Sequence, residues 1–233
     1  MEKKKYFLFS DLHGNLKYLS KALEEKGFDL ENENHILISL GDNFDRGNEN
    51  LMVLRFLKHF NDLNRLLMIR GNHDDFLLNF LLGKDDGIFN VRYNGLGNTL
   101  IELSDKDSNT TEKIRDSINK NHPYLISLLK NMQEKIEIGN KVLIHAGYSY
   151  DLIKSRWYID NFADTVKFIN EFDTGDRVYI FGHFHSERLN LFYHGKISSD
   201  IFYYKNFIGI DTHTLKNKKV NILVLDNLGN ILK

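Results

Sequence analysis

At 233 residues, with 31 lysines and arginines against 32 acidic residues, the chain is long enough to bury a full core and carries no field of one sign, which excludes the broad basic surface of a duplex nucleic-acid binder. It has no cysteine, so disulfides, thiolate metal ligands and thiol nucleophiles are excluded and a reducing compartment fits. No apolar run approaches the roughly 20 residues of a membrane span, and the run after Lys3-Lys4-Lys5 is too short for a signal peptide, so a cytoplasmic protein with one domain over 1–233 is expected.

In chain order, residues 6–10 read as a strand buried on both faces, ending in Ser10-Asp11-Leu12-His13-Gly14-Asn15. A helix is expected over 16–26, with Leu16, Leu19 and Leu23 on one face. A second strand, 35–40, runs into Gly41-Asp42-Asn43-Phe44-Asp45-Arg46-Gly47, followed by a helix over 49–60 that aligns Leu51, Leu54 and Leu57. A third, 66–70, runs into Gly71-Asn72-His73-Asp74, with a helix over 75–82. The polar stretch 83–121, punctuated by Gly83, Gly87, Gly95 and Gly97, reads as an insertion or cap over or beside the site. Pro123, the only proline, opens a helix over 124–132.

Two further strands, 141–145 and 178–181, end in His145-Ala146-Gly147 and Gly182-His183-Phe184-His185. Closely spaced runs at 189–194, 201–204, 207–210 and 219–225, separated by Gly195, Lys205-Asn206 and Asn217-Lys218, predict a second, more antiparallel sheet. The fold class is α/β. Every chemistry-bearing block follows a strand, the place where diverging loops leave a crevice in an α/β sheet.

Five such blocks list enough oxygen and imidazole donors for a two-metal centre. Asp11 and His13, two apart in a loop, can turn toward one ion, and Asp42 offers two carboxylate oxygens able to bridge two. Asn72 adds a carbonyl oxygen, and His145, His183 and His185 add ring nitrogens. Mixed imidazole and carboxylate donors favour manganese, iron or zinc over calcium. Two such ions about 3.5–4 Å apart activate a water toward phosphorus. Arg46, a cation beside the carboxylates, makes sense where a phosphate must also be held. His73 has the chemistry to protonate a departing alkoxide, with Asp45 to orient it.

The ordered set of blocks from Ser10 to Asp211 resembles the calcineurin-like metallophosphoesterase superfamily, and Gly-Asp-x-x-Asp-Arg-Gly at 41–47 resembles its phosphoprotein phosphatase and symmetrical diadenosine tetraphosphatase branch. The resemblance implies two mixed β-sheets packed as a sandwich and flanked by helices. It implies a first metal on Asp11, His13 and Asp42, and a second on Asp42, Asn72, His145 and His183. It also implies His73 as general acid, Asp45 as its partner, and Arg46 and Asn72 at the substrate phosphate. Arg156, beside Trp157, is the positional candidate for a second phosphate-binding arginine, and Tyr148 adds an aromatic near the site. Ser10 replaces a usual Gly and Asp74 a frequent Glu. His185 departs further: it resembles the phosphodiesterase branches, where a second His binds the first metal. His213 falls after Asp211-Thr212, where the family segment continues with Gly.

Blander roles fit other residues. His35, His59, His122 and His194 read as structural, Asp74 and Asp75 as helix N-terminal carboxylates, and Arg70 as a structural partner of an acidic residue. The aromatic clusters 192–193 and 202–204 read as core and sheet surface. Three functions compete: a serine/threonine-type phosphomonoesterase acting through a hydroxide held by two divalent metals, manganese foremost; a nucleotide, dinucleoside polyphosphate or phosphodiester hydrolase, favoured by His185; and a binding module that kept the fold without the chemistry. The expected partner is a phosphorylated protein or a small phosphoester, with no membrane and no strong nucleic-acid signal.

Overall fold

Alternation along the strands sets the layering of the computed structural model, which describes residues 4–147 and 161–232. In β1 (Lys5–Phe9), Phe7 and Phe9 point to one core while Leu8 points to another. The elements that follow are α1 (Leu16–Glu25), β2 (His35–Ser39), α2 (Asn50–Asp62), β3 (Leu66–Met68) and α3 (Asn72–Leu81). After them come α4 (Ile88–Tyr93), α5 (Leu96–Leu103), α6 (Thr111–Asn121), α7 (Leu125–Lys130), β4 (Lys135–Ile138) and β5 (Lys141–Ile144). The remainder comprises α8 (Phe162–Glu171), β6 (Val178–Phe181), α9 (Ser186–His194), β7 (Phe202–Tyr204), β8 (Phe207–Gly209), α10 (Thr214–Asn217), β9 (Leu223–Asp226) and β10 (Ile231–Leu232).

Two five-stranded mixed sheets result, ordered β10-β9-β1-β2-β3 and β4-β5-β6-β8-β7. The centres, β1-β2-β3 and β5-β6-β8, are parallel, and the flanking pairs are antiparallel. Leu8, Ile38, Leu143, Ile180, Ile208 and Leu225 meet between the sheets. The outer face of the first sheet packs on helices through residues such as Leu19, Leu54, Leu77 and Leu100, and that of the second through Phe168, Ile169 and Leu189.

Two expectations change. Residues 189–194, expected as a strand, lie in helix α9, where the short apolar run is ambiguous by period and Gly195 at φ +64° supplies a left-handed helix stop. Of 219–225, only the end is strand, and β9 joins β1 in the first sheet, so the second half does not build an antiparallel sheet of its own. The stretch 83–121 folds into α4, α5 and α6, which bury Leu96, Leu100, Leu103 and Ile118 against the helical core. No helix among the described residues is long and apolar enough to cross a membrane.

Candidate metal centre and its relatives

Parallel strands at the sheet centres deliver their following loops to one end of the sandwich, and the backbone there is strained. Asp11, His13, Asp42, Asp45, Arg46 and His183 all hold positive φ, between 45° and 75°. Non-glycine residues enter that region rarely, and such strain collects where side chains must be aimed. Glycine works by absence at two nearby points: a Cβ at Gly71 would strike the Asp42 carboxylate, and one at Gly182 the Asp11 carboxylate.

Asp42 is the hub. Its Oδ2 lies 3.8 Å from His13 Nε2 and its Oδ1 3.5 Å from His145 Nε2. It completes two donor groups, His13-Asp42-His73 and Asp42-His145-His183, each with its ligand atoms within 4.8 Å of one another. His145 donates Nδ1–H to the Leu40 carbonyl at 2.7 Å, which leaves Nε2 as a lone-pair donor; His13 does the same with the Phe44 carbonyl at 3.0 Å. Asn72 Oδ1 sits 3.1 Å from His145 Nε2. Helix α3 begins three residues earlier than expected, placing Asn72 and His73 on its first turn, and Asp74 Oδ2 accepts from the Gly71 and Asp42 N–H groups at 2.9 Å. Asp74 is thus more than a helix-start carboxylate.

Asp11 and His185 flank these groups. Asp11 Oδ2 accepts the His183 N–H at 2.8 Å and the Ser10 hydroxyl. His185 stacks on His213, with centroids 3.8 Å apart and planes 7° from parallel, and its Nε2 is 3.8 Å from Asp211 Oδ2. Asp211, fully buried, in turn accepts the His213 N–H at 2.6 Å. Arg156, Trp157 and Tyr148 lie outside the described residues.

The group of His73, Asp45 and Arg46 is closely built. His73 Nδ1 is 2.8 Å from Asp45 Oδ2, and both side chains are buried. Arg46 donates from Nη1 to His13 Nε2 at 3.1 Å and from Nη2 to His73 Nε2 at 3.0 Å. Thr99, from α5, donates its hydroxyl to Asp45 Oδ1 at 2.7 Å and accepts the Asp45 N–H at 2.9 Å. No local signal in the sequence marks Thr99. Asp211 could have been found from its position after a strand. Arg70 takes the structural role expected of it, with Nη2 donating to the Lys130 carbonyl at 3.1 Å and Nε 3.9 Å from Asp75.

The electrostatics fit cations. Burial, reinforced by the Asp11 and Asp74 charges against the opposing His73, pushes Asp42 up to about 8. Burial, then Asp11, pushes Asp211 well above the carboxylate range. Burial and neighbouring cationic groups hold His13 and His183 well below the usual imidazole value, and burial followed by His213 takes His185 to about 4. Several buried carboxylates and neutral imidazoles with converging lone pairs form a donor set that a pair of divalent cations would satisfy.

The calcineurin-like phosphoesterase family model matches residues 4–222. The chain belongs to the calcineurin-like phosphoesterase family. Among its curated relatives in the family, it is 29% identical over 167 residues to bis(5'-nucleosyl)-tetraphosphatase PrpE [asymmetrical] of Anoxybacillus flavithermus, covering 68% of this chain and 64% of that one. It is 25% identical over 154 residues to the Bacillus subtilis protein of the same name, covering 63% of this chain and 59% of that one. The match therefore spans less than two thirds of either tetraphosphatase. Serine/threonine-protein phosphatase 2 of Salmonella typhimurium is 28% identical over 188 residues, covering 76% of this chain and 78% of the relative. Among solved structures, the cold-active protein-tyrosine phosphatase of a psychrophilic Shewanella superposes with a TM-score of 0.57 at 16% identity, covering 97% and 76% of the two chains. A metallophosphoesterase from Sphaerobacter thermophilus gives 0.54 at 12%, covering 100% and 89%. These likenesses carry the two-sheet fold.

Proposed function

We propose that the chain is a two-metal hydrolase of phosphate monoesters, with phosphoserine or phosphothreonine in proteins as its first substrate class. One observation carries the reading: the two donor groups share Asp42, and the Arg46 guanidinium lies within 3.1 Å of both His13 and His73. His13, Asp42, Asn72, His145 and His183 would hold two divalent cations, with Asp11 and His185 at the flank; manganese fits the donor set, and iron and zinc are alternatives. Such cations, when bound, supply charge neutralisation at the phosphoryl oxygens and water activation.

The protein's own groups do the rest. Arg46 presents its planar fork to a phosphoryl oxygen, exchanging its bonds to the two imidazoles for a charge-assisted pair. His73, released from Arg46 at Nε2, carries a proton there and delivers it to the leaving oxygen. Asp45, accepting from Nδ1 at 2.8 Å, favours the protonated ring. Leu40 and Phe44 carbonyls keep His145 and His13 in the tautomer that presents Nε2.

The test is phosphate release from p-nitrophenyl phosphate and a phosphothreonine peptide with added manganese. Activity that needs the metal and disappears in Asp42→Asn supports the reading; no metal-dependent release from folded protein sinks it.

A second reading, hydrolysis of dinucleoside polyphosphates, is favoured by a surface beside Arg46. Helix α4 exposes Phe89 at 64% and Tyr93 at 63%, with ring centroids 4.9 Å apart and the Arg92 guanidinium 5.4 Å from the Tyr93 centroid. Two residues beyond Tyr93, the Gly95 carbonyl accepts the Arg46 N–H at 3.0 Å. Aromatic faces near a phosphate-binding arginine suit a nucleobase, and two relatives are named bis(5'-nucleosyl)-tetraphosphatases. Diadenosine tetraphosphate cleaved much faster than the phosphopeptide would decide for it.

A further inference from the structure

A crevice of about 560 Å³ opens at the seam of the two sheets, away from the metal-ligand groups. One wall is α1 from Tyr18 to its C-cap at Lys26, and the other is formed by residues 200–203 and 218–222. Lys26, at the end of that wall, lies ten residues beyond Leu16, about 15 Å along the helix axis. The seam is fastened by Asn221, which donates to the Ser199 carbonyl at 3.0 Å, and by Lys219 on Asp200 at 2.7 Å.

The lining pairs flat apolar surface with surplus positive charge. Tyr18, half-buried on the helical core, and Tyr203, exposed, stand among the lining residues, with Val220 and Ile222 buried at the base. Four lysines line the crevice against two carboxylates. Lys219 is neutralised by Asp200 and Lys21 lies 3.8 Å from Glu25. Lys26 and Lys218 have no carboxylate partner among the described residues. Lys218 is held at φ +52°, a conformation a non-glycine residue adopts at a cost and one that fixes where its side chain leaves the backbone.

We propose that this crevice binds a nucleoside phosphate, the ring against Tyr18 and Tyr203 and the phosphate on Lys26 and Lys218. The volume suits a ligand of that size, tyrosine faces accept a heteroaromatic ring, and two exposed ammonium groups without a carboxylate partner among the described residues are available to an anion. The site is separate from the hydrolytic one but mechanically joined to it. Thr212 Oγ1 donates to the Lys219 carbonyl at 2.7 Å, and two residues on Thr214 Oγ1 donates to the Asp11 carbonyl at 2.9 Å. A ligand gripping Lys218 therefore holds the far end of the segment that carries Asp211 and His213.

The experiment is calorimetric titration of the full chain carrying Asp42→Asn, which removes turnover, with ADP and separately with inorganic phosphate. Saturable ADP binding is expected. Adding Lys26→Glu and Lys218→Glu should weaken it about tenfold or more, as should Tyr203→Ala, while adding Arg46→Ala leaves it unchanged. In the wild-type background, the two lysine substitutions should leave p-nitrophenyl phosphate turnover intact, which shows that the fold survives them. Absence of ADP binding overturns the proposal. So does loss of binding with Arg46→Ala but not with the lysine pair, which would place the nucleotide at the hydrolytic site. Phosphate binding as tightly as ADP would overturn the role given to the tyrosines.

Discussion

The Thr99 hydroxyl donates to Asp45 Oδ1 at 2.7 Å, so the carboxylate that faces His73 is held from behind by helix α5. Both residues are fully buried, where an unmade hydrogen bond costs about 1–3 kcal/mol. Thr99→Val removes the donor to Oδ1 and the acceptor for the Asp45 N–H together. The expected outcome is a fall in kcat of about tenfold or more, with KM little changed because Thr99 does not reach the substrate phosphate. Thr99→Ser should restore the rate. Equal loss in both variants, or a change confined to KM, would show that Thr99 does not position the dyad.

That contact also marks the limit of what the sequence discloses. The strand-ending blocks were legible because each couples a local strand signal to residue types that have few structural reasons to coincide, and the parallel strand order then brings Asp42, His145 and His183 to one place. Thr99 was not legible, since a threonine in a polar stretch has no chemistry of its own until tertiary folding puts it against Asp45. The stretch 83–121 reads in the sequence as an insertion or cap over or beside the site because its buried positions, such as Leu96, Leu100 and Leu103, are spaced among glycines and charges. Helix α9 departs from the strand expected there for a different reason: its apolar residues are closely spaced, and period alone does not separate a short buried helix from a strand.

His73→Ala tests the proton-donor role. A general acid contributes about 10²–10⁴-fold, and only where the leaving group needs a proton. Turnover of a phosphoserine or phosphothreonine peptide should therefore fall by that order, while p-nitrophenyl phosphate, whose phenolate leaves unaided, should fall far less. Parallel losses on both substrates would instead assign His73 to metal binding, in keeping with its membership of the His13-Asp42-His73 group.

Stability in chelator should fall as pH rises across a defined window. Asp42 is raised to about 8 from its ordinary 3.8, so the folded state binds a proton the unfolded chain has released, and the stability this contributes is lost as pH climbs toward 8. His13 and His183 are lowered from 6.5; their effect has the opposite sign, stability rising with pH, and ends once the unfolded imidazoles have deprotonated. Between about 6.5 and about 8 the carboxylates act without that opposition, Asp211, also raised by burial, adding to Asp42 in the same direction. One proton is worth about 1.4 kcal/mol per pH unit, which for a domain of this size is about 3–6 °C in Tm per unit for each such carboxylate. Scanning Tm with EDTA should show the decline, and manganese or Asp42→Asn should lessen it. A Tm that rises through the window in EDTA would contradict the assignment of Asp42 as a buried, uncompensated carboxylate.

The α4 surface separates the two substrate readings by a change that leaves the metal donors untouched. Phe89 and Tyr93 are about two-thirds exposed and an i,i+4 pair, at 64% and 63%, so truncating both to alanine removes little packing. Base–aromatic stacking is worth about 1–3 kcal/mol per base, which predicts that kcat/KM for diadenosine tetraphosphate falls about fivefold to a hundredfold, mainly through KM. The phosphothreonine peptide, with no base to stack, should be turned over as by the wild type. If the dinucleotide rate is unaffected, the exposed pair has no part in holding a nucleobase, and the monoester reading stands without a competitor at this surface. If both substrates slow equally, the cause lies in the Gly95 carbonyl contact that seats Arg46 at 3.0 Å, and Asn98, which donates to the Arg46 carbonyl at 2.7 Å, becomes the next position to change.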